Sequence, residues 1–144
     1  MSEKFAVGVD GSDAAKRALE FAIGRAKAQG GTVVLIHVLE WSPYSFLTPT
    51  ELEERHQRRQ KELERASAWI MRPLLDELAD SGVTVESVIK YGHIADTLGA
   101  AAKESGATQI VIGRNGHSSI RNRVFGSVAG SLVQTSPVPC TIVP

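Results

Sequence analysis

The sequence predicts an α/β fold: a mostly parallel sheet with helices on both faces, a three-layer sandwich. Short apolar runs bounded by turn residues recur along the chain. Segments with apolar residues at helical spacing lie between them. The two kinds alternate from end to end as β-α-β-α-β-α-β-α-β, the pattern of a sheet whose strands are joined by helical crossovers.

Phe5-Ala6-Val7-Gly8-Val9, ended by Asp10-Gly11-Ser12, is the first buried strand and its turn. Ser12 or Asp13 can cap the helix that follows, in which Ala15, Ala18, Leu19, Ala22, Ile23 and Ala26 form one apolar face. Gly30-Gly31 stops it. Thr32 to Leu39 is continuous and β-branched, a strand buried on both faces. Trp41 to Pro49 reads as a loop. A long polar helix is expected from about Thr50 to the Leu78 region, with Thr50 and Glu53 as a capping box and a kink or break at Pro73. Val83 to Ile89 is partly alternating, which suits an edge or near-edge strand. Ile94 to Lys103 is an alanine-rich helix. Thr108 to Ile112 is the fourth strand, Val128 to Gln134 a short helix, and Pro139 to Val143 a last strand whose proline points to a sheet edge or a first position.

The 144 residues suit one domain, 1–144. Lys plus Arg and Asp plus Glu both number 16. That balance argues against a general nucleic-acid binder, whose affinity comes from excess positive charge. The lone cysteine, Cys140, rules out an intrachain disulfide, and no apolar run approaches a membrane span. A cytoplasmic protein without membrane insertion is expected.

Ligands of open α/β sheets bind at the carboxyl ends of strands where the strand order reverses. In a sheet ordered 3-2-1-4-5, strands one and four flank that point, so Gly8-Val9-Asp10 and Gly113-Arg114-Asn115-Gly116 would face one crevice. The second segment runs on to Gly126-Ser127 at the start of a helix, giving the spacing Gly-x2-Gly-x9-Gly-Ser. Glycines let phosphate oxygens reach backbone N–H groups. A helix N-terminus adds unpaired donors and a partial positive charge. Neither a Walker loop nor a dinucleotide fingerprint is present.

This spacing resembles the ATP-binding signature of universal stress proteins. Val9-Asp10-Gly11-Ser12, Leu35-Ile36-His37-Val38 and Ser136-Pro137-Val138-Pro139-Cys140 resemble the same family, over nearly the whole chain. The resemblance implies a flavodoxin-like, adenine nucleotide alpha hydrolase-like sandwich with a five-stranded parallel sheet in the order 3-2-1-4-5. It implies ATP as ligand, usually with Mg²⁺ or Mn²⁺. Asp10 would hold the ribose or adenosine end beside Gly8 and Val9, and Val38 would meet adenine through its main chain. Ile112, Gly113 and Gly116 would line the ribose and phosphate path, and Gly126, Ser127 and Val128 would hold the phosphates. It also implies a homodimer through the last strand and a role in stress response. Gly8 stands where the family often has another small residue or proline.

The reading that follows is a nucleotide-binding regulatory module. The alternatives are a slow ATPase or phosphotransferase, and a dimeric interaction domain without nucleotide. No carboxylate or glutamine near the phosphate loop suggests itself for orienting a water, so no catalytic residue is assigned. Arg114, Arg121, Arg123 and His117 read as a solvated loop, His37 as a satisfied core histidine, His93 as a turn residue and Cys140 as an inert thiol. The histidines lack metal-ligand spacing, so no metal-ligating residue is assigned.

Overall fold

The computed structural model describes residues 3–40, 48–115 and 127–144. Five strands, β1 (Lys4–Gly8), β2 (Thr32–Glu40), β3 (Val85–Gly92), β4 (Gln109–Gly113) and β5 (Cys140–Val143), form one sheet in the order β3-β2-β1-β4-β5. All four pairings are parallel. The helices are α1 (Asp13–Gln29), α2 (Pro49–Ala66), α3 (Arg72–Leu78), α4 (Ile94–Glu104) and α5 (Ser127–Thr135). The predicted architecture and strand order are those observed.

Alternation along the strands divides the core in two. Phe5, Val7, Val33 and Leu35 pack with Leu19 and Ile23 of α1 and, through Met71, with the α2–α3 arm. Ala6, Val34, Ile36, Ile110 and Ile112 pack on the opposite face with Leu98 and Ala102 of α4 and Leu132 of α5. Central strands are therefore apolar on both sides, which is why the runs in β1, β2 and β4 are continuous. β3 is half-exposed throughout, as its edge position requires.

Two elements differ from expectation. Helix α2 is capped by Thr48 instead of Thr50: the Thr48 hydroxyl accepts from Glu51 N–H at 3.2 Å, and the Glu51 carboxylate accepts from Thr48 N–H at 3.4 Å. Pro49 decides between the overlapping boxes, because its fixed φ and missing N–H suit the first helical position. At the far end, Pro73 neither breaks the chain nor leaves a simple kink. Residues Ser67–Met71 form a π-helical turn, in which Arg72 N–H donates to Ser67 C=O, directly ahead of α3. A proline cannot donate to the carbonyl four residues back and its ring crowds that carbonyl; widening the helix upstream accommodates both. β3 also starts later and runs further than expected, to Gly92, because it pairs along β2 as far as Glu40.

Candidate functional site

Unequal strand lengths open a crevice above the sheet. β1 pairs with β2 only as far as Gly8 opposite Ile36, whereas β2 continues beside β3 for four further residues. Val9 N–H still donates to Ile36 C=O at 2.9 Å, and the chain then turns away. Along a parallel strand, successive residues bond to alternate neighbours. Val33 N–H bonds to Thr84, on the β3 side, and Ile36 C=O to Val9, on the β1 side. Val38 and Glu40 therefore direct their N–H and C=O toward the side that β1 has vacated, and no described backbone group bonds to them there.

The resulting cavity, of about 490 Å³, lies at the carboxyl ends of β1, β2 and β4 and under the N-termini of α1, α4 and α5. Gly8, Val9 and Asp10 line it from β1 and Val38 from β2. Ile112 and Gly113 line it from β4, and Ser127 and Val128 from α5. These are eight of the ten predicted site residues; Gly116 and Gly126 lie outside the described residues, as do His117, Arg121 and Arg123.

Each wall has a local cause. Asp10 Oδ1 accepts from Ser12 N–H at 2.9 Å and from the Ser12 hydroxyl, while Ser12 Oγ accepts from Ala15 N–H at 3.1 Å and caps α1. Asp10 thus builds the turn as well as lining the cavity. His37 is 8% exposed and its Nδ1 lies 2.6 Å from Val9 C=O. A carbonyl only accepts, so Nδ1 carries the proton; this histidine pins the end of β1. Gly113 is glycine for packing: an added Cβ would fall 2.8 Å from the backbone of Ala14 in the first turn of α1. At Gly8 the added Cβ would meet Leu98 Cδ2 at 3.0 Å and Ile112 Cγ2 at 3.3 Å, on the α4 side.

The cavity is electrically polar across its width. Glu40 ends β2 on one flank and Asp10 follows the central strand; Arg114 follows β4 on the other flank, where α5 begins at Ser127. Between them the lining is apolar, with Ile36, Ile94 and Leu98 from β2 and α4. A second cavity, of about 540 Å³, runs between α4 and α5 and shares Glu40, Ile94, Ser127 and Val128 with the first. Glu40, Ile94 and Asn115 had no signal in the sequence beyond proximity to strand ends. Arg114, read as a solvated loop residue, is exposed and lines the cavity. His93 is the N-cap residue of α4 and lines the second cavity. Cys140 is half-buried, and burial pushes its thiol up from the ordinary range, as expected for an unreactive thiol. Among the described residues no group of three His, Cys, Asp or Glu side chains is arranged to hold a metal, and no helix is long and apolar enough to cross a membrane.

The universal stress protein family model matches residues 1–144. The universal stress protein YxiE of Bacillus subtilis (strain 168) is 30% identical, with 99% of each chain covered. Among solved structures, the universal stress protein UspA of Lactobacillus plantarum superposes with a TM-score of 0.86 at 25% identity, covering 99% of this chain and 97% of that one. A universal stress protein in complex with cAMP superposes with a TM-score of 0.70 at 25% identity, covering 99% of this chain and 97% of that one. A sheet ordered β3-β2-β1-β4-β5, a crevice at its reversal point and a whole-length match to the family agree: the chain belongs to the universal stress protein family.

Proposed function

We propose that the crevice binds an adenine nucleotide, ATP in the first instance, and that the chain serves as a nucleotide-controlled regulatory module in a stress response. One observation carries the reading: the ends of β1, β2 and β4 and the start of α5 meet around one cavity with an apolar floor and polar ends. The N–H and C=O of Val38, which no described backbone group engages on the β1 side, suit a base edge that presents an acceptor beside a donor, as adenine does. The N-terminus of α5 with Ser127, and Arg114 on the same flank, suit phosphates. A family member of the same fold in complex with cAMP supports the ligand class. Gly8, Val9, Asp10, Ile112, Gly113 and Val128 would complete the walls, and Gly116 and Gly126 the phosphate loop. A Mg²⁺ or Mn²⁺ would arrive with the triphosphate, held by phosphate oxygens and water, the usual manner for magnesium at nucleotides.

The same reading includes a homodimer through β5. It is the last strand of the sheet. Ile110 N–H bonds to Pro139 C=O and Arg114 N–H to Val143 C=O, so by alternation Cys140 and Ile142 turn their backbone groups outward. An unpaired edge of this kind recruits another strand.

The test is release and rebinding of nucleotide. Protein purified without added nucleotide, then denatured, is expected to release ATP. Protein stripped of nucleotide is expected to gain about 2.7 kcal/mol from Mg-ATP at one hundred times its dissociation constant, or roughly 5–10 °C in melting temperature. No released nucleotide and no shift would overturn the reading; ADP accumulating with time would point to hydrolysis.

A further inference from the structure

We propose that the carboxylate of Glu40 makes the site selective for purines carrying a 6-amino group over those carrying a 6-oxo group. The inference rests on the nucleotide reading above and adds to it a residue and the chemical feature it reads.

Glu40 lies two residues beyond Val38 on β2, roughly 6.6 Å along the strand. Side chains of alternate residues share a face, so Glu40 stands on the same side as Val34 and Ile36, the side packed by α4 and α5. It lines both cavities at their junction, beside Ile94. Among the described residues it takes part in no ion pair. Among the described residues lining the crevice, the Arg114 cation follows β4 on the far flank, with β1 between.

An ionised carboxylate only accepts hydrogen bonds. A base seated against Val38 exposes its six-position along β2 toward Glu40. A 6-amino group has two hydrogens: one can go to the Val38 carbonyl, and the second then faces an acceptor. A 6-oxo group would bring its own lone pairs against both the Val38 carbonyl and the carboxylate. Selectivity of this kind comes as much from the repulsive pairing as from the attractive one.

The experiment compares ATP with inosine 5′-triphosphate, which replaces the 6-amino group by oxygen, by calorimetry at fixed Mg²⁺. The wild-type chain and the Glu40→Gln and Glu40→Ala variants are measured, each checked by its melting curve. The wild type is expected to prefer ATP. In Glu40→Gln, whose amide can donate to oxygen, the preference should shrink by about tenfold, with inosine triphosphate binding tighter than to wild type. Glu40→Ala should weaken ATP and, by removing the repulsion alone, improve inosine triphosphate less than Glu40→Gln does. An ATP-to-inosine-triphosphate ratio unchanged in both variants, with ATP still bound, would overturn the assignment of Glu40 and leave the nucleotide reading standing. Failure of the folded wild type to bind either triphosphate would overturn both.

Discussion

Replacing Gly113 by alanine tests the packing that shapes the crevice. The added Cβ would lie 2.8 Å from the carbonyl carbon and oxygen of Ala14 and 2.9 Å from its Cβ. These are backbone atoms and a stub, with no rotamer to move, so β4 and the first turn of α1 must separate. Overpacking of this kind costs about 1–3 kcal/mol. For a chain of this length that is roughly 3–10 °C of melting temperature. Two other glycines serve as internal scale. At Gly8 the nearest atom is the end of the Leu98 side chain at 3.0 Å, which can rotate, so Gly8→Ala should cost less. At Gly24, within α1, nothing lies within 4 Å of the added atom, and alanine should stabilise the helix by about 0.5–1 kcal/mol. Thermal and urea unfolding of the three variants should therefore rank Gly24→Ala above wild type, Gly8→Ala below it and Gly113→Ala lowest. A Gly113→Ala protein melting with the wild type would refute the close approach of β4 to α1.

Ser12→Ala removes the cap of α1 and one partner of Asp10; urea unfolding should show a loss of about 1 kcal/mol. The Tyr91 hydroxyl donates to Arg59 C=O, and burial first, then the Glu62 charge, raises the phenol above its usual 10.0, against an opposing pull from Arg59. The folded state thus favours the neutral phenol. That stabilisation is complete below the unfolded value and is lost as pH rises through the folded one, so wild type should lose stability there. Tyr91→Phe should be about 1 kcal/mol less stable at neutral pH and lack that alkaline loss, as read from melting curves across the pH range. Ile142→Pro deletes an outward N–H of β5 while sparing its bonds to β4; on the proposed reading sedimentation should find a dimer for wild type and a monomer for the variant, and an equal mass for the two would exclude this edge as a dimer seam.

The alternation of strands and helices was readable because central strands of a parallel sheet are apolar on both faces, as β1, β2 and β4 are. The strand ends carrying Asp10 and Gly113 were readable for the same reason, since each run stops at turn residues. What the sequence left open depends on relative lengths. Nothing in Thr32 to Glu40 announces that β2 outruns β1 by four residues, and that overhang alone exposes the main chain of Val38 and Glu40. The capping box of α2 was expected at Thr50 and Glu53; the overlapping Thr48 and Glu51 form it instead, with Pro49 as the first helical residue. Gly113 was expected to line the ribose and phosphate path, and it does line the cavity; its close approach to Ala14 had no signal in the sequence.

The π-helical turn at Ser67–Met71 solves a problem of phase. On α2 the side chains turned toward the body are Arg55, Arg59, Leu63 and Ala66. From the last residue of the turn onward, Met71, Leu74, Leu75 and Leu78 pack into the core on the sheet. Carried along an uninterrupted α-helix, the second stripe would emerge about 100° around the cylinder from the first, the rotation of one residue. The extra residue absorbed by the wider turn cancels that rotation. Thus one rod made of two differently addressed halves keeps a single inner face; a one-residue deletion there would restore plain α-helix with the three leucines still turned inward, whereas straightening the turn without removing a residue would swing them out toward water.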